Sequence, residues 1–135
     1  MNEKESATVL VVDDDPFVLD LVKDHISKYG YQAILASSGE EALQVAKQKN
    51  KIDLLLTDIV MPGIDGLDLA RQFISLYPET KVLFMSGFSC PSLAHYITDV
   101  EEAFLEKPFL GNTLIAKIRN ALNGPTLQQV NPLDS

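Results

Sequence analysis

The sequence predicts an α/β fold in which parallel strands form one sheet and helices cover both of its faces. Three observations lead there. Short apolar runs rich in β-branched residues recur along the chain, as in strands buried on both sides. Between them lie segments whose apolar residues fall at helical spacing. The connections are only a few residues long, which favours successive parallel strands joined through helices.

The first strand is 8–12, Thr8-Val9-Leu10-Val11-Val12, stopped by Asp13-Asp14-Asp15-Pro16. Pro16 is suited to open a helix, because the first turn has no use for its missing N–H. Val18, Leu21, Val22, Ile26 and Tyr29 then recur at helical spacing until Gly30. A brief second strand covers 33–36, and Ser38-Gly39-Glu40-Glu41 has the form of a capping box ahead of Ala42, Val45 and Ala46. The third strand, 52–57, is nearly all apolar except Asp53 and runs into Asp58. After the turn at 61–66, Ala70, Phe73, Ile74 and Tyr77 mark another helix, which Pro78 breaks. A fourth strand at 81–85 leads to Ser86-Gly87, and a short, weakly patterned helix is read at 91–98. A fifth strand at 103–106 closes on Lys107-Pro108, and Leu114, Ile118, Ala121 and Leu122 mark the last helix. The expectation is therefore five strands and five helices over 8–123, with 1–7 as a flexible leader and 124–135 as a tail or cut linker.

Composition narrows the function. The chain has 135 residues, 46% of them hydrophobic, enough for one domain with a real core. Nineteen acids against 11 Lys and Arg give a formal charge of −8. That disfavours a sequence-independent grip on nucleic acid and attraction to an anionic membrane. Cys90 is the only cysteine, so no internal disulfide forms. No apolar run approaches the ~18 residues of a membrane span, and the polar start lacks a secretory signal, so a cytoplasmic location is expected.

In open sheets of this kind, ligands bind beyond the carboxyl ends of the strands. Asp13, Asp14 and Asp15 follow the first strand, Asp58 the third, Ser86 the fourth and Lys107 the fifth. If the strands are parallel, these groups meet on one rim. Three acids there would repel, and Lys107 supplies one positive charge. A hard dication such as Mg²⁺ would supply more, and carboxylate, hydroxyl and lysine are the parts needed to move a phosphoryl group onto an acid. Asp15 and Asp65 are read more simply, as helix caps or turn formers.

These residues resemble the receiver domain of bacterial two-component response regulators. The likeness covers residues 8 to about 123 and rests on four spaced stretches. They are 11–16 (Val11 to Pro16), 56–66 (Leu56 to Gly66), 83–87 (Leu83 to Gly87) and 104–109 (Phe104 to Phe109). The resemblance implies a flavodoxin-like sheet of strand order 2-1-3-4-5. It implies Asp58 as phosphoacceptor, and Mg²⁺ (or Mn²⁺) bound directly by Asp14, Asp58 and the Val60 backbone carbonyl, with Asp13 acting mainly through water. It assigns the phosphate-pairing lysine to Lys107, the switch hydroxyl to Ser86 and the aromatic switch to Phe104. The partners implied are a sensor histidine kinase or phosphotransfer protein as donor and a downstream effector or output domain. The protein is expected to be a monomer or a phosphorylation-dependent dimer, and a regulatory phosphoacceptor that acts only on its own aspartate.

Two departures from the family pattern stand out. Phe104 lacks the hydroxyl of the tyrosine often found there. Val60 and Phe88 are apolar where the family often places polar groups near the path of attacking water, which implies a long-lived phosphorylated state. Two other readings compete with this one. Asp13-Asp14-Asp15 has the D-x-D form of haloacid-dehalogenase-like phosphatases, but Phe17 stands where Thr or Val is usual and no later acidic pair follows Lys107. A receiver-fold binding module without phosphorylation would not need all five site residues.

Overall fold

The computed structural model describes residues 7–49, 51–87 and 103–124. Strand β1 (Thr8–Val12) pairs in parallel with β2 (Gln32–Ala36) on one side and β3 (Leu54–Asp58) on the other. Then come β4 (Lys81–Ser86) and β5 (Phe104–Glu106), giving the parallel order β2-β1-β3-β4-β5. This is the order that the resemblance implied. The described helices are α1 (Pro16–Ser27), α2 (Gly39–Lys47), α3 (Gly66–Leu76) and, last in the chain, α4 (Gly111–Asn123). The short helix expected at 91–98, needed for a total of five, lies outside the described residues.

The unbroken apolar runs have a direct cause. Alternate residues of each strand point to opposite faces, and both faces are covered. On one side Leu10, Val12, Leu55 and Phe84 pack with α2 and α3 residues such as Ala42 and Phe73. On the other, Val9, Val11, Leu56 and Met85 pack with α1 and α4 residues such as Val22 and Ile118. No helix among the described residues is long and apolar enough to cross a membrane.

Local chemistry sets the element ends. Asp15 caps α1 by accepting the Phe17 N–H at 2.9 Å, and Asp65 caps α3 by accepting the Asp68 N–H at 2.9 Å. Gly30, at φ +89°, closes the turn after α1, a conformation glycine adopts without strain. At α2 the Ser38 hydroxyl accepts the Glu41 N–H at 3.0 Å, but the Glu41 carboxylate bonds to the Ser37 N–H and hydroxyl. The reciprocal bond of a simple capping box is thus displaced by one residue.

Three sequence-based readings are refined. The buried stripe of α1 is Leu19, Val22 and Ile26, whereas Leu21 and Tyr29 are exposed. Leu21 stands one residue, about 100° of helix, from Val22 and so leaves the core-facing stripe. Strand β3 runs from Leu54; just before it the Asp53 carboxylate accepts the Thr8 N–H at 2.8 Å, while the Asp53 backbone still bonds to Thr8 and Lys81. Ala7 is buried, and its carbonyl accepts the Gln32 N–H at 3.0 Å, so among the described residues Ala7 already takes part in the sheet.

Gly66 fixes how α3 meets the sheet. Its N–H donates to the Ile59 carbonyl at 2.7 Å, and a Cβ placed on it would lie 2.1 Å from the Asp58 carbonyl oxygen. The obstacle is backbone at the end of β3, so it cannot rotate aside as a side chain could. Gly66→Ala is expected to lose roughly 2 kcal/mol or more in urea unfolding, as in other overpacked sites. An unchanged midpoint would show that α3 can back away from β3.

Candidate functional site

The rim at the carboxyl ends of β1, β3, β4 and β5 is built by the strands themselves. Asp13 directly follows β1 and is still tied to the sheet, its N–H donating to the Ala36 carbonyl at 3.2 Å. Its Oδ1 accepts the Asp15 N–H at 2.9 Å, which turns the chain into α1. That turn leaves Asp13 fully buried and Asp14 exposed beside it. Asp58 is the last residue of β3 and only 7% exposed, and the Ile59 N–H that follows donates to the Met85 carbonyl at 3.1 Å. Ser86 ends β4 and is buried; its carbonyl accepts the Lys107 N–H at 2.7 Å, which aligns the ends of β4 and β5.

The structure brings the acids together. Carboxylate oxygens of Asp13, Asp14 and Asp58 all lie within 4.8 Å of one another. Lys107 Nζ donates to Asp13 Oδ2 at 2.7 Å and stands 3.4 Å from Asp58 Oδ2. One ammonium therefore serves two largely buried carboxylates, with a third at the edge.

Charge is not balanced by that lysine. Burial and then the nearby charge of Asp13 push the Asp58 carboxyl above its ordinary value, and the charge and hydrogen bond of Lys107 only partly reverse this. For Lys107 burial acts downward. Its hydrogen bond and charge contact with Asp13, followed by those with Asp58, outweigh it and hold the ammonium above its usual range. The distances agree: the lysine sits closer to Asp13 and compensates it first. At an effective dielectric of ~20, two charges ~4 Å apart repel by ~4 kcal/mol. A site of closely spaced carboxylate oxygens, two of them from buried residues and the third from exposed Asp14, with excess negative charge suits a hard dication.

Of the other residues singled out in the sequence, Val60 lies past β3 with 56% of its surface exposed, an apolar side chain on the rim. Phe104 opens β5 in register with Phe84, half-buried against the cluster on the α2 and α3 side of the sheet. Phe88 lies outside the described residues. Sequence reasoning expected Lys107 on this rim but not its closer attachment to Asp13, 94 positions away. No spacing signal could have separated Asp13 from Asp58 as its partner. The cis Lys107–Pro108 peptide was likewise unforeseen.

A family model described as the response regulator receiver domain matches residues 9–119. The autoinducer 1 sensor kinase/phosphatase LuxN of Vibrio campbellii is 34% identical over 122 residues, which cover 90% of this chain and 14% of that protein. This chain therefore spans only a small part of the kinase's length. The response regulator receiver protein CpdR of Brucella abortus is 32% identical over 115 residues, 84% of this chain and 95% of that protein. The crystal structure of a response regulator receiver protein from Sinorhizobium medicae superposes with a TM-score of 0.78 at 29% identity, covering 89% of this chain and 97% of the other. With a family match over most of its length, this sheet order and this acidic rim, the chain belongs to the response regulator receiver domains of two-component systems.

Proposed function

We propose that this domain accepts a phosphoryl group on Asp58 from a phosphohistidine of a sensor histidine kinase or phosphotransfer protein, and that the modification switches a partner-binding surface. The observation that carries this reading is the Lys107 ammonium shared between Asp13 and Asp58, with the Asp14 carboxylate within reach. The working unit is residues 8–123, acting in the cytoplasm as a monomer or a phosphorylation-dependent dimer. Its output is an effector or an attached domain.

Each residue has a role under this reading. The Asp58 carboxylate attacks phosphorus, the P–N bond to the donor imidazole breaks, and the leaving nitrogen takes a proton from solvent. Asp13, Asp14, Asp58 and the Val60 carbonyl would hold Mg²⁺ or Mn²⁺, which supplies charge neutralisation for the phosphoryl oxygens. Lys107 turns its ammonium from the carboxylates to the new phosphate, and the Ser86 hydroxyl donates to it. The acyl phosphate adds roughly −1.5 to −2 charges and three acceptor oxygens beside these two donors. Their movement draws the start of the segment after β4 inward and changes the packing room of Phe104, the aromatic switch. Because the attacking nucleophile is the domain's own carboxylate, we read it as a regulatory acceptor that catalyses only its own modification and hydrolysis.

The rival use of Asp13 as a phosphatase nucleophile fits less well. That carboxylate is fully buried and held by Lys107 at 2.7 Å, and one of its oxygens also accepts the Asp15 N–H. A nucleophile needs a free lone pair facing the substrate.

Incubation with Mg²⁺ and a small-molecule phosphodonor, followed by intact mass measurement, tests the assignment. The wild type should gain one phosphoryl group and Asp58→Asn none; a gain on the variant would move the acceptor elsewhere. Val60 supplies a second test. Its exposed apolar side chain offers water no hydrogen bond on the rim two residues past Asp58. Val60→Asn is expected to shorten the life of the phosphorylated protein several-fold, followed by the decay of the mass increment. Equal lifetimes would remove Val60 from the kinetic account.

A further inference from the structure

The connection from β3 to α3 runs from Ile59 to Gly66, and the Gly66 N–H to Ile59 carbonyl bond, 2.7 Å, closes its base. The tip of this loop is met from outside by the first turn of α2. Gly39, the first residue of α2, is buried, and a Cβ there would lie 3.0 Å from Ile64 Cβ, 3.2 Å from Ile64 O and 3.3 Å from Ile64 Cγ2. The bare helix backbone therefore lies against Ile64. The neighbouring residues reverse the arrangement. Gly63, at φ +77°, leaves a space beside which the Glu40 carboxylate sits, its Oε2 2.8 Å from where a Cβ would be.

Two adjacent residues of α2 thus meet two adjacent residues of the loop, and each contact needs a glycine on one side. The α2 terminus is a firm support, since Ser38 caps it and Glu41 bonds back to Ser37. Ile64 is half-buried and packs on the cluster between the sheet and α2 and α3. Nothing in this contact touches the acids of the pocket directly. It acts on the connection that begins at Ile59, directly after Asp58.

We propose that Ile64 is a positioning residue: seated on Gly39, with Glu40 beside Gly63, it fixes the loop that presents the Val60 carbonyl to the acidic pocket and so sets divalent-cation affinity. The inference rests on the metal reading of the pocket given above. Groups that orient a metal's ligands affect affinity although they never touch the ion. The side-chain atoms of Ile64 facing Gly39 are Cβ and Cγ2, and both survive in Ile64→Val. Ile64→Ala keeps Cβ but loses Cγ2, Cγ1 and Cδ1, so one of the two side-chain atoms facing Gly39 is gone. Gly39→Ala disturbs the same contact from the opposite side.

The test is a calorimetric Mg²⁺ titration of the wild type, Ile64→Ala, Ile64→Val, Gly39→Ala and Ile74→Ala, paired with hydrogen exchange of the Gly66 amide. Ile74 packs on the same cluster and serves as a control for stability loss alone. Ile64→Ala and Gly39→Ala are expected to bind Mg²⁺ about tenfold more weakly, the scale of losses seen when a ligand's support is removed. Their Gly66 amides should exchange faster, while Ile64→Val and Ile74→Ala keep wild-type affinity. Wild-type affinity in Ile64→Ala would overturn the proposal, as would an equal loss in Ile74→Ala. A wild type that binds no Mg²⁺ would overturn the metal reading, and with it the link to affinity. The exchange measurement then judges the clamp alone, and an unchanged Gly66 rate in Ile64→Ala overturns that too.

Discussion

The ion pair between Lys107 and Asp13 is the contact on which the rim depends. It joins residues 94 positions apart, one following β5 and the other following β1, with its nitrogen and oxygen 2.7 Å apart. Asp13 is fully buried, and a buried carboxylate without a partner is among the most costly features a protein can carry. Lys107 meets that need, yet it stands farther from Asp58 and leaves that group short of positive charge. The pocket is thus held together and left unbalanced by the same ammonium.

The surrounding architecture keeps this imbalance from relaxing. Parallel pairing brings the ends of β1, β3, β4 and β5 to one edge, and both faces of the sheet are sealed by apolar layers. Backbone bonds fix the strand ends to one another: Asp13 to Ala36, Ile59 to Met85, Lys107 to Ser86. Gly66 presses α3 against the backbone of Asp58 itself. With these constraints the carboxylates cannot separate cheaply. Stability given up at such a rim is a common feature of functional sites.

Much of this was legible in the sequence, for identifiable reasons. The β-branched runs and helical spacings announced the alternation, and polar residues just beyond each run marked Asp13, Asp14, Asp58, Ser86 and Lys107 as rim groups. Strand order came from the resemblance, because periodicity alone does not say which strands are neighbours. What stayed hidden depends on distances of a few ångströms. Lys107 could have favoured either acid, Glu41 bonds one residue earlier than a capping box implies, and Leu21 turns outward although its spacing looked internal. The strand bounds also moved by a residue or two: the Asp53 carboxylate takes the Thr8 N–H just before β3, and Asp58 remains inside the ladder opposite Met85.

Asp58 sits in a pocket with too little positive charge, and the proposed divalent cation would complete it. Thermal unfolding of the wild type and Asp58→Asn, each in chelator and in Mg²⁺, tests it most directly. In chelator the variant should melt at the higher temperature, because it no longer carries the uncompensated charge. Mg²⁺ should raise the wild-type midpoint and leave the variant nearly unmoved. A variant that melts lower in chelator, together with a wild type indifferent to Mg²⁺, would contradict the account.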